Sequence, residues 1–182
     1  IQGMLPKPTL LDLLQNFCLF ATKRDKLIKV VCRYQQYRAI LKAFARIRSN
    51  EGPNRGGVIW HTQGSGKSLT MLMLSGALVA DAALENPTII VVTDRNDLDG
   101  QLFATFAEGR ALLRQDPEQA EDRDDLTAKL TRASGGVIFT TIQKFEERND
   151  PISERSNIVV LADEAHRSQY GFLKGGARWM RE

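Results

Sequence analysis

Residues 88–93 read TIIVVT, a run in which every side chain is β-branched and none is charged. A strand that shows one face to water alternates apolar and polar residues. This run does not alternate, so it asks for cover on both faces. Residues 136–141 (GVIFTT) and 158–162 (IVVLA) repeat the pattern. Strands covered on both faces belong to parallel sheets, because the crossovers between them lay helices over the sheet. The intervening stretches supply helical sequence: 67–84, then 97–107 with Asp97 near its start, then 123–133 through Leu126 and Leu130. Residues 58–61 add a short apolar strand, and the polar stretch 108–122 reads as loop. Strand and helix alternate at βαβ spacing, which predicts an α/β fold with a parallel sheet flanked by helices.

Ahead of this alternation the pattern differs. Residues 9–21 (TLLDLLQNFCLFA) begin as a helix whose end is open, and 27–31 suit a short strand. Residues 36–48 form an amphipathic helix, with Tyr37, Ile40, Leu41, Phe44 and Ile47 on one face and Arg38, Lys42 and Arg46 opposite. Turn chemistry makes 50–57 (NEGPNRGG) a loop.

The sharpest local motif is His61-Thr62-Gln63-Gly64-Ser65-Gly66-Lys67-Ser68, set between an apolar run and a helix. Such a loop binds phosphate for physical reasons. Gly64 and Gly66 permit backbone angles and a close approach that a Cβ blocks. Successive N–H groups at a helix start, Leu69 included, then aim at phosphate oxygens, aided by the helix dipole. Lys67 brings a cation to the β- and γ-phosphates of ATP, and the Ser68 hydroxyl suits Mg²⁺. His61 occupies the position where the usual pattern has glycine, while the G-x-G-K-S core is intact.

At the end of the 158–162 run stand Asp163-Glu164-Ala165-His166. Carboxylates at the carboxyl edge of a parallel sheet face the crevice where ligands bind. Asp163 suits Mg²⁺, Glu164 suits the orientation and deprotonation of an attacking water, and His166 suits sensing of the γ-phosphate. Taken alone, these four residues also admit the plainer reading of a charged loop.

Bulk properties narrow the class further. The chain has 182 residues, 42% of them hydrophobic, enough for a core of its own. No apolar run reaches the roughly 18 residues a membrane helix needs, so no membrane partner is expected. The chain opens at Ile1 without a signal segment and reads as a piece of a longer protein or as a chain trimmed after a tag. Cys18 and Cys32 lack metal-ligand spacing and read as buried reduced thiols, suited to the cytoplasm. His61 reads as packed near the loop, and Trp60 and Trp179 as core or edge aromatics. Net charge is only +3, but residues 23–48 carry nine Lys/Arg against one acid, and 116–125 carry six acids against one Arg. Such clusters ordinarily mark solvated faces.

With both motifs in place, the sequence resembles the first lobe of superfamily 2 helicases and translocases. More closely, it resembles the motor subunit of type I restriction–modification enzymes. The resemblance rests on GVIWHTQGSGKSLTM (57–71), with His at the anomalous position, on VTDRNDLDGQLFATF (92–106), on TTIQKF (140–145) and on DEAHRSQYG (163–171). RYQQYRA (33–39) resembles the segment leading into the motor, so the likeness runs from about residue 9 to 171.

The resemblance implies a RecA-like P-loop NTPase lobe over 51–182, after a helical lead-in over 1–50. It implies ATP and Mg²⁺ as ligands, and Gln36, with Gln35 as the alternative, as the reader of adenine. It implies contacts to DNA or coupling to ATP at Thr93, Asp94, Arg95, Thr140, Thr141 and Gln143. Capping and turn roles explain each of those six singly as well. Its implied partners are double-stranded DNA, the modification and specificity subunits, and a second motor lobe and nuclease domain of the same chain. The arginine of that second lobe is expected outside this stretch, which on this view binds ATP without turning it over. The alternative is a lobe of another superfamily 2 helicase or restriction ATPase.

Overall fold

The computed structural model describes residues 3–23, 25–49, 55–93, 100–145 and 151–163. Contacts divide the chain into two compact units, the first Ile1–Asn86 with Ala104–Asp116, the second Pro87–Phe103 with Pro117–Glu182.

The first unit opens with α1 (Lys7–Asn16) and the antiparallel hairpin β1 (Cys18–Lys23) and β2 (Lys26–Val31). The helix starts at a Pro6 N-cap, where a missing N–H costs nothing, and ends on the Phe17 N–H bonded to the Leu13 carbonyl. The chain therefore turns into strand at Cys18, which sets the helix end that the sequence left open. Next comes α2 (Tyr34–Ser49). Its Tyr37 donates to Asp12 Oδ2 on α1 at 2.6 Å and meets the Phe17 ring edge-on at 5.3 Å. Ile40 is fully buried, but Leu41, assigned to the same face, is 41% exposed. Helix α3 (Lys67–Ala80) packs between α2 and α5 (Arg110–Leu113). It stops before residue 84 because Asp81 turns the chain, its carboxylate accepting from the Ala83 N–H to cap a 3₁₀ turn at Ala82–Leu84.

Burial pushes the Cys32 thiol up to about 12. At pH 8 its thiolate fraction is then about 10⁻⁴, so a thiolate-directed reagent should leave Cys32 unmodified in the native protein. A titration showing native-state labelling of Cys32 as fast as that of a free thiol contradicts this. The half-exposed Cys18 serves as the internal comparison.

The second unit is built on a parallel sheet in the order β4–β5–β3–β6, formed by β3 (Thr88–Thr93), β4 (Pro117–Gln119), β5 (Val137–Thr141) and β6 (Ile158–Ala162). As the β-branched run requires, β3 is central and buried along its whole length. On one face Ile90, Val92 and Ile138 pack with Ala120 and with Leu126 and Leu130 of α6 (Arg123–Leu130). On the other, Phe139 meets Phe103 of α4 (Gln101–Glu108) edge-on at 5.1 Å. Phe139→Ala should cost about 3–5 kcal/mol of stability, as large-to-small changes at fully buried aromatics do. Denaturant unfolding monitored in this unit checks it, and a loss under about 1 kcal/mol contradicts the packing.

Two expectations need correcting. The 108–122 stretch is not simply loop: it holds α5, anchored by the fully buried Leu113, and β4, an edge strand that tolerates Pro117 at its first position. Residues 58–61 form no strand. Val58 and Trp60 are each 90% exposed, and no described segment pairs with them. An apolar run becomes a strand only when a neighbour takes its N–H and C=O groups, and Trp60 is accordingly neither a core nor an edge aromatic here. Trp179 and the start of 97–107 lie outside the described residues. No helix among the described residues is long and apolar enough to cross a membrane.

Candidate nucleotide site

The loop before α3 takes the conformation its glycines anticipate. Gly64 and Gly66 have φ of 76° and 84°, in the left-handed region. Gly66 is the N-cap of α3 and, as a glycine, supplies no side-chain acceptor to the first-turn N–H groups. Lys67 and Ser68 are the first two residues of that turn. Both are half-buried, while Thr62, Gln63 and Gly64 are exposed and His61, Ser65 and Leu69 are half-buried. The Ser65 hydroxyl is buried without a hydrogen-bond partner among the described residues.

What holds the loop is mostly one side chain. Gln36, 3% exposed, sits at the third position of α2. Its Oε1 accepts from the Arg33 N–H at 2.9 Å, satisfying a donor at the helix start as in a capping box. Its Nε2 donates to the carbonyls of Ser65 at 3.1 Å and Gly66 at 3.0 Å. A Cβ on Gly66 would lie 2.6 Å from that nitrogen, so glycine is required here for space as well as for φ. Thr70, buried on α3, adds a bond from Oγ1 to the Gly66 carbonyl at 3.2 Å. Sequence reasoning missed Thr70. Its signal was a hydroxyl one helical turn after the loop glycine, where threonine bonds back to the carbonyl four residues earlier.

In the second unit, the carboxyl ends of three neighbouring strands carry Thr93, Thr141 and Asp163. Thr93 and Thr141 are register partners, and the Asp163 N–H donates to the Val92 carbonyl at 2.9 Å. The hydroxyl of Thr93 and the Oε1 of Gln143 are buried without hydrogen-bond partners among the described residues. Thr140 alternates to the other face, and its hydroxyl bonds locally to the Thr141 carbonyl. Asp94, Arg95, Glu164 and His166 lie outside the described residues.

These residues fit a nucleoside triphosphate with Mg²⁺. In the first unit the helix-start donors and Lys67 suit phosphate oxygens and the Ser68 hydroxyl suits a hard cation; in the second, taken by itself, Asp163 carries a carboxylate of the kind a hard cation takes. A left-handed glycine loop with Lys67 and Ser68 in one unit, and a parallel sheet flanked by helices in the other, are the parts of a P-loop NTPase lobe of the RecA-like kind.

More specifically, the chain belongs to the SWI2/SNF2 ATPase family, whose model matches residues 35–181, and it groups with type I restriction enzyme endonuclease subunits. It is 52% identical, over 96% of its length, to the type I restriction enzyme HindI endonuclease subunit of Haemophilus influenzae. It is 35% identical, over 98% of its length, to the putative MjaIXP endonuclease subunit of Methanocaldococcus jannaschii. The chain spans 17% of the length of each of these relatives. Against the C-terminal part of the putative MpnIIP endonuclease subunit of Mycoplasma pneumoniae the identity is 32%, over 93% of this chain and 86% of that protein.

Proposed function

We propose that this chain is the first ATP-binding lobe of a type I restriction endonuclease subunit, in which ATP hydrolysis drives translocation of duplex DNA before cleavage. The observation that carries the reading is the braced Gly64–Ser68 loop at the head of α3, within a chain of which residues 35–181 match a SWI2/SNF2 ATPase. Lys67 and the first N–H groups of α3 hold the β- and γ-phosphates. Ser68 and Asp163 would hold Mg²⁺, which supplies charge neutralisation at the phosphates when bound. Glu164 takes a proton from the attacking water, and His166 senses the γ-phosphate. Thr93, Asp94, Arg95, Thr140, Thr141 and Gln143 meet the DNA backbone or relay the nucleotide state. The partners are the modification and specificity subunits, with a second motor lobe and a nuclease domain in the same full-length chain, in the cytoplasm.

The test is ATP hydrolysis by the full-length subunit in its complex, with and without duplex DNA. DNA-stimulated turnover without strand displacement is expected. Turnover indifferent to DNA overturns the reading, and strand displacement shifts it to a helicase.

Gln36 serves two ends in this proposal. As a brace it sets the loop, and as a base reader its carboxamide pairs with adenine N6 and N7 after giving up a loop carbonyl. Gln36→Ala should therefore weaken ATP and GTP binding alike, by roughly tenfold or more, as the loss of hydrogen bonds to buried groups does. It should also narrow the preference for ATP. Calorimetry with both nucleotides separates the roles: an unchanged ATP/GTP ratio removes base reading, and unchanged GTP affinity removes the brace.

A further inference from the structure

Helix α2 carries four cations, Arg38, Lys42, Arg46 and Arg48, and no acid. Arg48 turns to Asp81 at 3.4 Å. The other three repeat every fourth residue, and all are exposed, while Tyr37 and Ile40 on the opposite side are buried. Like charges four apart repel along a helix and weaken it. A helix that needed only solubility would mix signs, as α6 does where Lys129 pairs with Asp125. Arg38 also lies over the Tyr34 ring, 5.6 Å from its centroid, which steadies one end of the row. No acidic residue occurs anywhere from 26 to 49, and Lys26, Lys29 and Arg33 extend the same sign.

We infer that Arg38, Lys42 and Arg46 form a second contact for the phosphate backbone of duplex DNA, apart from residues 93–95 and 140–143. The inference rests on the proposed DNA-translocating function. The row rises about 6 Å per step, about 12 Å in all, and a DNA strand presents a phosphate about every 3.4 Å along its axis. Three long cationic stems therefore cover three or four phosphates. A row of this kind holds any sequence equally, because it meets phosphates and no base edge. A translocating motor needs contacts of that type.

The experiment uses the full-length subunit in its complex and a duplex lacking the recognition site, with binding followed by anisotropy across a salt series. In the Arg38→Gln/Lys42→Gln/Arg46→Gln variant the slope of log K against log salt should shrink by about 2–3, near 0.9 for each phosphate no longer neutralised. Lys42→Gln alone should reduce it by about 1 by the same rule, which guards against misfolding of the triple variant. ATP binding should not change. A control removing equal charge at the exposed Lys7, Arg110 and Arg114 should leave the slope nearly intact. Wild-type DNA binding with an unchanged slope in the α2 variants, or an equal reduction in the control, overturns the inference and leaves the proposed function standing. Loss of complex assembly at an unchanged slope also overturns it, assigning the row to an acidic protein surface. A wild-type complex that binds no DNA at any salt removes the proposed function, and the inference with it.

Discussion

Alanine in place of Lys67 should weaken ATP binding to the full-length subunit by roughly two to four orders of magnitude. The Gly64–Ser68 loop offers phosphates mainly backbone N–H groups, each a neutral donor, and Lys67 is the cation at the head of α3. Charge-assisted hydrogen bonds contribute about 1.5–3 kcal/mol each, and contacts to two phosphates make about 3–6 kcal/mol, with each 1.4 kcal/mol a factor of ten in affinity. The fold should persist, because Lys67 is half-buried at the loop rather than part of the core. Calorimetry on a variant with native circular dichroism decides the matter. Unchanged ATP affinity would remove this loop from nucleotide binding.

Glu164→Gln should separate binding from turnover. Asp163 is fixed by its N–H bond to the Val92 carbonyl, which prolongs the pairing of β3 and β6 to the first residue of the DEAH motif. Glutamine keeps the shape and one acceptor oxygen, puts a donor in place of the other, and cannot take the water's proton. General-base contributions run to about 10²–10⁴ in rate. Single-turnover hydrolysis should fall by that factor while ATP binding stays within about twofold, since the change acts on the proton-transfer step. Hydrolysis at the unaltered rate would assign the base to another group.

Elements whose cause is local were legible in the sequence. The β-branched run at Thr88–Thr93 dictates a central strand, and the structure forms it over those same residues. The G-x-G-K-S spacing dictates left-handed glycines before a helix, and Gly64 and Gly66 comply. Long-range pairing is not written in any one segment. β4 has the composition of a loop and becomes a strand because β5 lies beside it. Residues 58–61 have the composition of a strand and lack a described partner. The same holds for Arg155, whose guanidinium bonds Asn157 Oδ1, Thr88 Oγ1 and the Arg132 carbonyl, drawing together the amino ends of β3 and β6 and the turn after α6. A charged residue in a polar stretch gives no hint of such a role. At the site, Gln36 was visible as a residue type near the loop, but its bond back to Arg33 depends on where α2 begins, two residues earlier than the pattern suggested.

That bond has a consequence for how the first unit opens. One carboxamide closes the first turn of α2 and supports the carbonyls of Ser65 and Gly66, so fraying of the helix start and loss of loop shape are the same event. Segments tied in this way open as one cooperative unit. The amide hydrogens at the head of α2 and at the head of α3, distant in sequence, should exchange with solvent at matched protection. Nucleotide held by the loop should then slow both sets together, including those at α2 that touch no phosphate.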